Sequence, residues 1–284
     1  MQETGENNTL YIVGTPIGNL EDFTFRGVRV LSEVLLILAE DTRRAVKLLN
    51  HYKIKKKLES FFEFNQRTKI DKIIYILKTE GDVAIISDAG MPLISDPGFP
   101  LVYAAIKEGI NVEVIPGASS VTASLVLSGF SVDRFYFGGF FPRKEKERKE
   151  TIKLLRELKS PSIFFESSKR IKSTLNFIRQ SSEELQIALL RELTKVYQEV
   201  IRGSAKEILE IVGKRELKGE ITVVLSPFSP LKEVFDETVL EKSFYKLIES
   251  DKISKKEAIK ILAEKYKVSK RELYQRFMKG KVNE

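Results

Sequence analysis

Short apolar runs rich in β-branched residues alternate with amphipathic helical patterns, and that alternation restricts the fold of this chain more than any single residue does. Runs at 9–13, 35–38, 83–87 and 112–115 read as strands, with a weaker one at 59–62. Helical patterns occupy 24–33, 42–51, 66–79, 97–108 and 119–127. Strand, helix, strand in that order is the parallel βαβ unit, because parallel neighbours need a long crossover between them. After a break at 128–133 the pattern resumes, with strands at 134–138, 162–166, 186–190, 197–202 and 221–225 and helices at 144–159, 169–180 and 205–212. No helical pattern separates 186–190 from 197–202, so the second sheet is expected to be partly antiparallel. The expectation is two α/β domains, 1–130 with a mainly parallel sheet and 131–228 with a mixed one, followed by a small helical tail at 229–284.

The tail begins after Ser226-Pro227-Phe228-Ser229-Pro230, which breaks the chain. Ser254 with Glu257, and Ser269 with Glu272, match the capping box ahead of two short amphipathic runs. Ala258, Ile261, Leu262 and Tyr266 share a face of the first run, Leu273 and Phe277 a face of the second, which predicts a helix-turn-helix pair. From 231 onward there are 14 Lys+Arg against 10 Asp+Glu, so +4 of the chain's net +8 lies there. Such a tail suits either a solvated cap on the second domain or a module that touches a nucleic-acid backbone.

Three loops rich in Gly, Pro and Ser follow predicted strands: Gly-Thr-Pro-Ile-Gly-Asn at 14–19, Ser-Asp-Ala-Gly-Met-Pro-Leu-Ile-Ser-Asp-Pro-Gly at 87–98, and Pro-Gly-Ala-Ser-Ser at 116–120. In open α/β sheets ligands bind outside the carboxyl ends of strands, so the three describe one crevice. The longest is too long for a plain connection, and its Asp96 is placed to cap the helix that starts near Pro97. The first loop is neither GxGxxG nor a Walker A sequence, which argues for an uncharged or zwitterionic ligand instead of a bound phosphate.

Composition removes several chemistries. The absence of Cys excludes disulfides, thiolate metal sites and a Cys nucleophile, and the single His51 leaves no triad and no His-based metal centre to expect. Catalysis must then rest on carboxylates, Lys, Arg, Tyr, backbone groups or a cofactor. Residues 1–8 are polar and acidic with no signal-peptide h-region, and no run of about 18 apolar residues occurs, so a soluble cytoplasmic chain without membrane contact is expected. A net charge of +8 favours a polyanionic partner. Lys53 with Lys55-Lys56-Lys57 reads as a solvated run or an RNA-binding rim, and Phe61, Phe62 and Phe64 as core or as stacking surfaces.

The first loop with its strand at 10–20, Ala-Glu-Asp-Thr-Arg at 39–43, Leu-Leu-Asn-His at 48–51, the loop at 87–98, Arg-Phe-Tyr-Phe-Gly-Gly-Phe at 134–140 and Arg-Glu-Leu-Thr-Lys at 191–195 together resemble one family. It is that of the ribosomal RNA small-subunit methyltransferase I proteins, among the tetrapyrrole-methylase-like, or class III, S-adenosylmethionine-dependent methyltransferases. Two departures stand out: Gly14 where the family usually has Pro, and Pro-Gly-Ala-Ser-Ser at 116–120 instead of Pro-Gly-Pro-Ser-Ala. The resemblance implies S-adenosylmethionine in a cleft between the domains, a homodimer, and 2′-O-methylation of a cytidine ribose in the decoding region of 16S rRNA within the 30S subunit. A tetrapyrrole (precorrin-type) C-methyltransferase is the alternative enzyme on the same fold. A regulator that binds nucleic acid through the tail, without catalysis, is the third reading.

On this reading the cofactor candidates are Pro16, Gly18, Asp88, Ala89, Gly90, Met91, Ile94, Ser119 and Ser120 from the first domain, and Phe165, Glu166, Leu193 and Thr194 from the second. Asp88 would accept hydrogen bonds from the cofactor's hydroxyls or ammonium. A ribose hydroxyl needs a base or strong orientation to attack. The catalytic candidates are Asp41, Glu192 and Lys195, with Glu40 beside them and Arg43 and Arg191 to hold phosphate. Asp41 is equally a helix cap, and Lys195 would serve as a base only if burial lowered its pKa.

Overall fold

The computed structural model describes residues 8–183, 185–228, 237–249, 253–266 and 270–278. In chain order the first half runs β1 (Thr9–Val13), α1 (Phe25–Glu33), β2 (Leu36–Ala39), α2 (Thr42–His51), β3 (Lys57–Ser60), α3 (Gln66–Thr79), β4 (Val83–Ile86), α4 (Phe99–Lys107), β5 (Asn111–Ile115) and α5 (Ser120–Ser128). The second half runs β6 (Tyr136–Phe140), α6 (Glu145–Leu158), β7 (Ser162–Ser167), α7 (Ile171–Ser181), β8 (Gln186–Arg191), β9 (Glu199–Ser204), α8 (Ala205–Val212) and β10 (Glu220–Leu225).

The first sheet has the order β3-β2-β4-β1-β5 and is parallel throughout. Side-chain period 2 divides its core in two. Leu10, Ile12, Leu36, Leu38, Val83 and Ile85 pack with Ile73, Leu77 and Leu101 of α3 and α4 on one face. Val13, Ile37, Ala39, Ala84 and Ile86 pack with Val30, Leu31, Ala45 and Leu49 of α1 and α2 on the other. With helices on both faces, the central strands β2 and β4 are buried at every residue, which is why they read as unbroken apolar runs. Because β4, β1 and β5 are neighbours, the three small-residue loops emerge side by side. They are also tied: Thr15 N–H donates to Gly90 O at 2.8 Å and Gly90 N–H to Thr15 O at 3.1 Å. Gly14 and Gly117 touch through their backbones, and a Cβ on Gly117 would lie 2.8 Å from Gly14 C and O.

The second sheet, β6-β7-β10-β8-β9, is mixed: β6 and β7 are parallel and the other pairs antiparallel. One face packs on α6, α7 and α8 through residues such as Ile152, Leu175, Ile178 and Ile208. The other face, with Ile163, Ala188, Leu190 and Val224, takes Val121 and Leu125 of α5 together with Ile17. Both sheets thus belong to one compact unit, Met1–Phe228.

The second unit, Ser229–Glu284, holds three helices in its described part: α9 (Glu237–Glu249), α10 (Lys255–Tyr266) and α11 (Lys270–Met278). Sequence patterning predicts only the last two, so the pair becomes a three-helix unit. Leu240 and Phe244 of α9 bury against Ala258, Ile259, Leu262 and Ala263 of α10, and Phe244 stacks on Phe277 at 4.0 Å between ring centres. The buried stripe of α10 includes Ile259 and Ala263, which the predicted face omits. Glu257 N–H donates to Ser254 Oγ at 3.3 Å, half of the expected capping box; Ser269 lies outside the described residues. No described helix is long and apolar enough to cross a membrane.

Two local expectations are corrected. α4 starts at Phe99 with Gly98 as its N-cap, at φ 131°, a conformation a side chain rarely adopts. Asp96 therefore does not cap it. The lysine run at 53–57 leads into β3 at its amino end, and Lys56 Nζ donates to Glu33 O at the end of α1. In a parallel sheet that is the end opposite the three loops, so the run is no rim of the crevice. Of the three aromatics, Phe61 is core, while Phe64 is 89% exposed.

Candidate functional site

A cavity of about 440 Å³ opens where the loops after β1, β4 and β5 face the second sheet, within the range of roughly 300–1,000 Å³ common for small-molecule sites. Asp88, Ala89, Gly90, Met91, Ile94, Ser119 and Ser120 line it from the first half of the chain. Phe165, Glu166 and Leu193 line it from the second. Pro16 and Gly18 do not; they line a smaller neighbouring cavity of about 230 Å³. Thr194 lines neither, and its hydroxyl accepts Asn19 N–H at 3.0 Å, tying the 191–195 loop to the first loop.

The larger cavity is apolar in part, through Ile17, Met91, Ile94, Phe140, Phe165 and Leu193, and acidic in its polar part. Glu40, Asp88, Asp96 and Glu220 line it with Arg44. Asp88 is held by design of the fold: it accepts Asp41 N–H at 3.1 Å and lies 3.4 Å from Arg44. Asp96, displaced from the capping role, points its carboxyl here. Burial first, then Glu40 and Asp88, push its pKa up to about 6 against a hydrogen bond from Ser87. Glu40 is likewise raised, by burial and by Asp88, with Arg44 pulling the other way. A site that gathers Glu40, Asp88, Asp96 and Glu220 around one Arg carries a negative potential that attracts a cation. Glu166 is a separate case. Its side chain is fully enclosed, accepting Thr174 Oγ1 at 2.6 Å and Ser167 N–H at 2.7 Å beside Arg170, so it braces β7 against α7.

The four catalytic candidates fare differently. Asp41 caps α2, accepting Arg43 N–H at 2.9 Å, and the Arg43 side chain holds its carboxyl at about 2. Arg43 is 88% exposed and folds back onto that cap. Lys195 Nζ donates to Glu192 Oε1 at 2.8 Å and Glu220 Oε2 at 3.0 Å. Burial works to lower the Lys195 pKa, but those carboxylates outweigh it and the ammonium ends above its ordinary value. Burial likewise acts to raise Glu192, and Lys195 with Glu220 N–H overcomes it, so Glu192 ends low. Arg191 bonds Glu199 at 3.1 Å and the carbonyls of Lys218 and Tyr197, which leaves it a strut of the second sheet. Lys195 lines the smaller cavity; Asp41, Arg43 and Glu192 line neither.

Sequence reading missed Arg44, Phe140, Gly219, Glu220, Ile221 and Thr222. Arg44 carries a helical signal, two residues after the predicted start of α2. The β10 residues carry none: β10 runs antiparallel to β7 and β8, pairing Glu220 with Ser167 and Ile221 with Arg191, so its amino end reaches the cavity. Backbone strain marks the same places. Leu93 and Ser95 (φ 71° and 68°) and Glu192 and Thr194 (φ 51° and 63°) are left-handed non-glycine residues in the two loops that meet there.

The comparisons with known proteins agree with this geometry. The sequence profile of the family described as Tetrapyrrole (Corrin/Porphyrin) Methylases matches residues 9–209. A Thermotoga maritima protein named ribosomal RNA small subunit methyltransferase I is 49% identical over 217 residues, covering 76% of this chain and 97% of its own. A protein of the same name from Halalkalibacterium halodurans is 40% identical over 277 residues, covering 96% of each chain. Among solved structures, a diphthine synthase superposes with a TM-score of 0.61 at 14% identity, covering 77% of this chain and 89% of that one. A uroporphyrin-III C-methyltransferase from Thermus thermophilus, complexed with S-adenyl homocysteine, gives 0.55 at 15% identity, covering 77% and 97%. The chain belongs to the tetrapyrrole methylase family of S-adenosylmethionine-dependent methyltransferases, on the branch of the ribosomal RNA small subunit methyltransferase I proteins.

Proposed function

We propose that this protein transfers a methyl group from S-adenosylmethionine to the 2′-hydroxyl of a cytidine ribose in the decoding region of 16S rRNA, presented by the 30S subunit. The observation that carries the reading is the larger cavity, mainly apolar with several carboxylates in its polar part, which suits a ligand that combines an aromatic base with positive charge. In this reading residues 1–130 carry the cofactor loops, 131–228 close the cleft, and 229–284 add contacts to RNA. The protein works in the cytoplasm as a homodimer.

Asp88, Ala89, Gly90, Met91, Ile94, Ser119 and Ser120 hold the cofactor from one side, and Phe165 and Leu193 from the other. The cofactor supplies an electrophilic methyl group on a sulfonium, so the chain needs no metal and forms no covalent intermediate. The ion pairs support one choice for the group that takes the hydroxyl proton. Lys195 stays charged, Glu192 is bound to it, and Asp41 is committed to Arg43, so none is a competent base. Glu40, raised by burial beside Asp88, remains, and we assign it that role.

The tetrapyrrole alternative is not favoured, because a relative 40% identical over nearly the whole chain carries the ribosomal name, while the solved uroporphyrin-III C-methyltransferases are only 15% and 18% identical. Incubating unmodified 30S subunits with labelled S-adenosylmethionine, then digesting to nucleosides for mass spectrometry, tests the proposal. 2′-O-methylcytidine is expected. Label on a base, on protein or nowhere rejects it.

A further inference from the structure

The smaller cavity borders the larger one through Ile17, Arg44, Asp88, Ala89 and Glu220, which line both. The stapled pair Thr15 and Gly90 forms the seam between them. Two molecules occupying the two cavities would therefore meet at a single pair of loops, the arrangement a transfer between them requires. At about 230 Å³ the smaller cavity falls below the usual range for a whole small-molecule ligand, and suits one unit of a longer chain.

Its charge differs from that of its neighbour. Arg44, Lys47 and Lys195 stand against Asp88 and Glu220. Arg44 and Lys47 are three residues apart on α2 and so share a face, where like charges repel. Lys47 is exposed and has no ion pair or hydrogen bond among the described residues. Lys195 spends two of its three N–H donors on Glu192 and Glu220 and retains one. Two cations with donors to spare, arranged around Pro16, Leu20 and Leu48, call for an anion carried on a partly apolar body.

Resting on the methyltransferase reading above, we infer that the smaller cavity seats the acceptor nucleotide, with Lys47 and Lys195 on its backbone phosphate and its ribose toward the shared seam. Pro16 and Gly18 then belong to the acceptor, not to the cofactor. Lys47 is a binding residue for RNA with no contact to S-adenosylmethionine. Phosphate held this way contributes to affinity through released counterions, so each lost contact flattens the salt dependence.

The test measures three variants, Lys47→Ala, Lys47→Glu and Lys47→Arg, with unmethylated 30S subunits and with S-adenosylmethionine separately. Lys47→Ala is expected to raise KM for 30S about tenfold, and to reduce the slope of log affinity against log salt by about 0.9. Lys47→Glu should do worse and Lys47→Arg should restore binding, while the calorimetric Kd for S-adenosylmethionine stays that of the parent in all three. If Lys47→Ala weakens S-adenosylmethionine and leaves KM for 30S unchanged, the cavity holds the cofactor's carboxylate and the inference is overturned. If the parent methylates 30S and all three variants match it, the subsite alone is wrong. If the parent transfers no methyl to 30S, the functional reading fails and takes the subsite with it.

Discussion

The two cavities share five lining residues and one pair of loops, yet one gathers carboxylates and the other gathers cations. Glu40, Asp96 and Asp88 crowd the larger until two of them hold protons more tightly than free carboxyls do. Arg44, Lys47 and Lys195 dominate the smaller. On the assignment proposed above, such a division keeps a cationic cofactor and a polyanionic acceptor apart by charge before contact geometry acts. Asp88 and Arg44 stand on the border and belong to both.

The largest effect should come from the border itself. Asp88→Ala removes the acceptor of Asp41 N–H and the partner of Arg44, and takes one carboxylate from the cavity wall. We expect S-adenosylmethionine affinity to fall about a hundredfold in calorimetric titration; unchanged affinity would break the assignment of the larger cavity. Next comes the contact that keeps the two loops together. A methyl on Gly117 would press on Gly14 backbone at 2.8 Å, so Gly117→Ala should cost about 2–3 kcal/mol, read as a lower Tm, and weaken both ligands together. A loss confined to one ligand would show the cavities to be independent.

Removing residues 229–284 deletes a unit with its own buried helical core. KM for 30S should rise about tenfold, while the Kd for S-adenosylmethionine stays put. Equal loss of both would overturn the division of labour between this unit and the cleft.

The smallest effect is that of pH, and it sharpens the electrostatic half of the comparison. Burial beside Glu40 and Asp88 pushes Asp96 up to about 6, from 3.8 for a free Asp side chain, so the folded state holds the extra proton between those values. Stability from this group is complete below pH 3.8 and is lost as pH rises through 6. Asp96→Asn should therefore raise Tm at pH 7, by about 1 kcal/mol of stability once solvent screening is allowed for. Cofactor binding runs the opposite way, weakening several-fold as pH falls from 7 to 5 and the carboxylates neutralise. A pH-independent Kd would remove Asp96 and Glu40 from the site.

Much of the fold is legible in the chain, because burial on both faces of β2 and β4 leaves continuous apolar runs, and because turn residues accumulate where strands must end near a ligand. α2, α3 and α8 begin and end where periodicity places them, since their apolar stripes are local, as are the Asp41 and Ser204 caps of α2 and α8. α9 has no Ser-x-x-Glu capping box ahead of it like those that mark the two later runs, and its Leu240 and Phe244 find their partners on α10 and α11. Asp96 shows the limit within a single motif. Its type and position suit a cap, and only the start of α4 at Gly98 frees its carboxyl for the cavity.

By itself the sequence determined the alternation of elements, the loops at the carboxyl ends of three strands, and the exclusion of thiol chemistry and of a histidine triad or His-based metal centre, since each depends on residue type and near neighbours. Tertiary structure alone decided which charges meet. The order β3-β2-β4-β1-β5 sets the three loops side by side and sends the 53–57 lysines to the far end. The antiparallel register of β10 carries Glu220 to Lys195, and packing turns Lys195 from a possible base into a fixed cation. Electrostatics acts through space over a few ångströms, a distance on which chain position says nothing until the strands have paired.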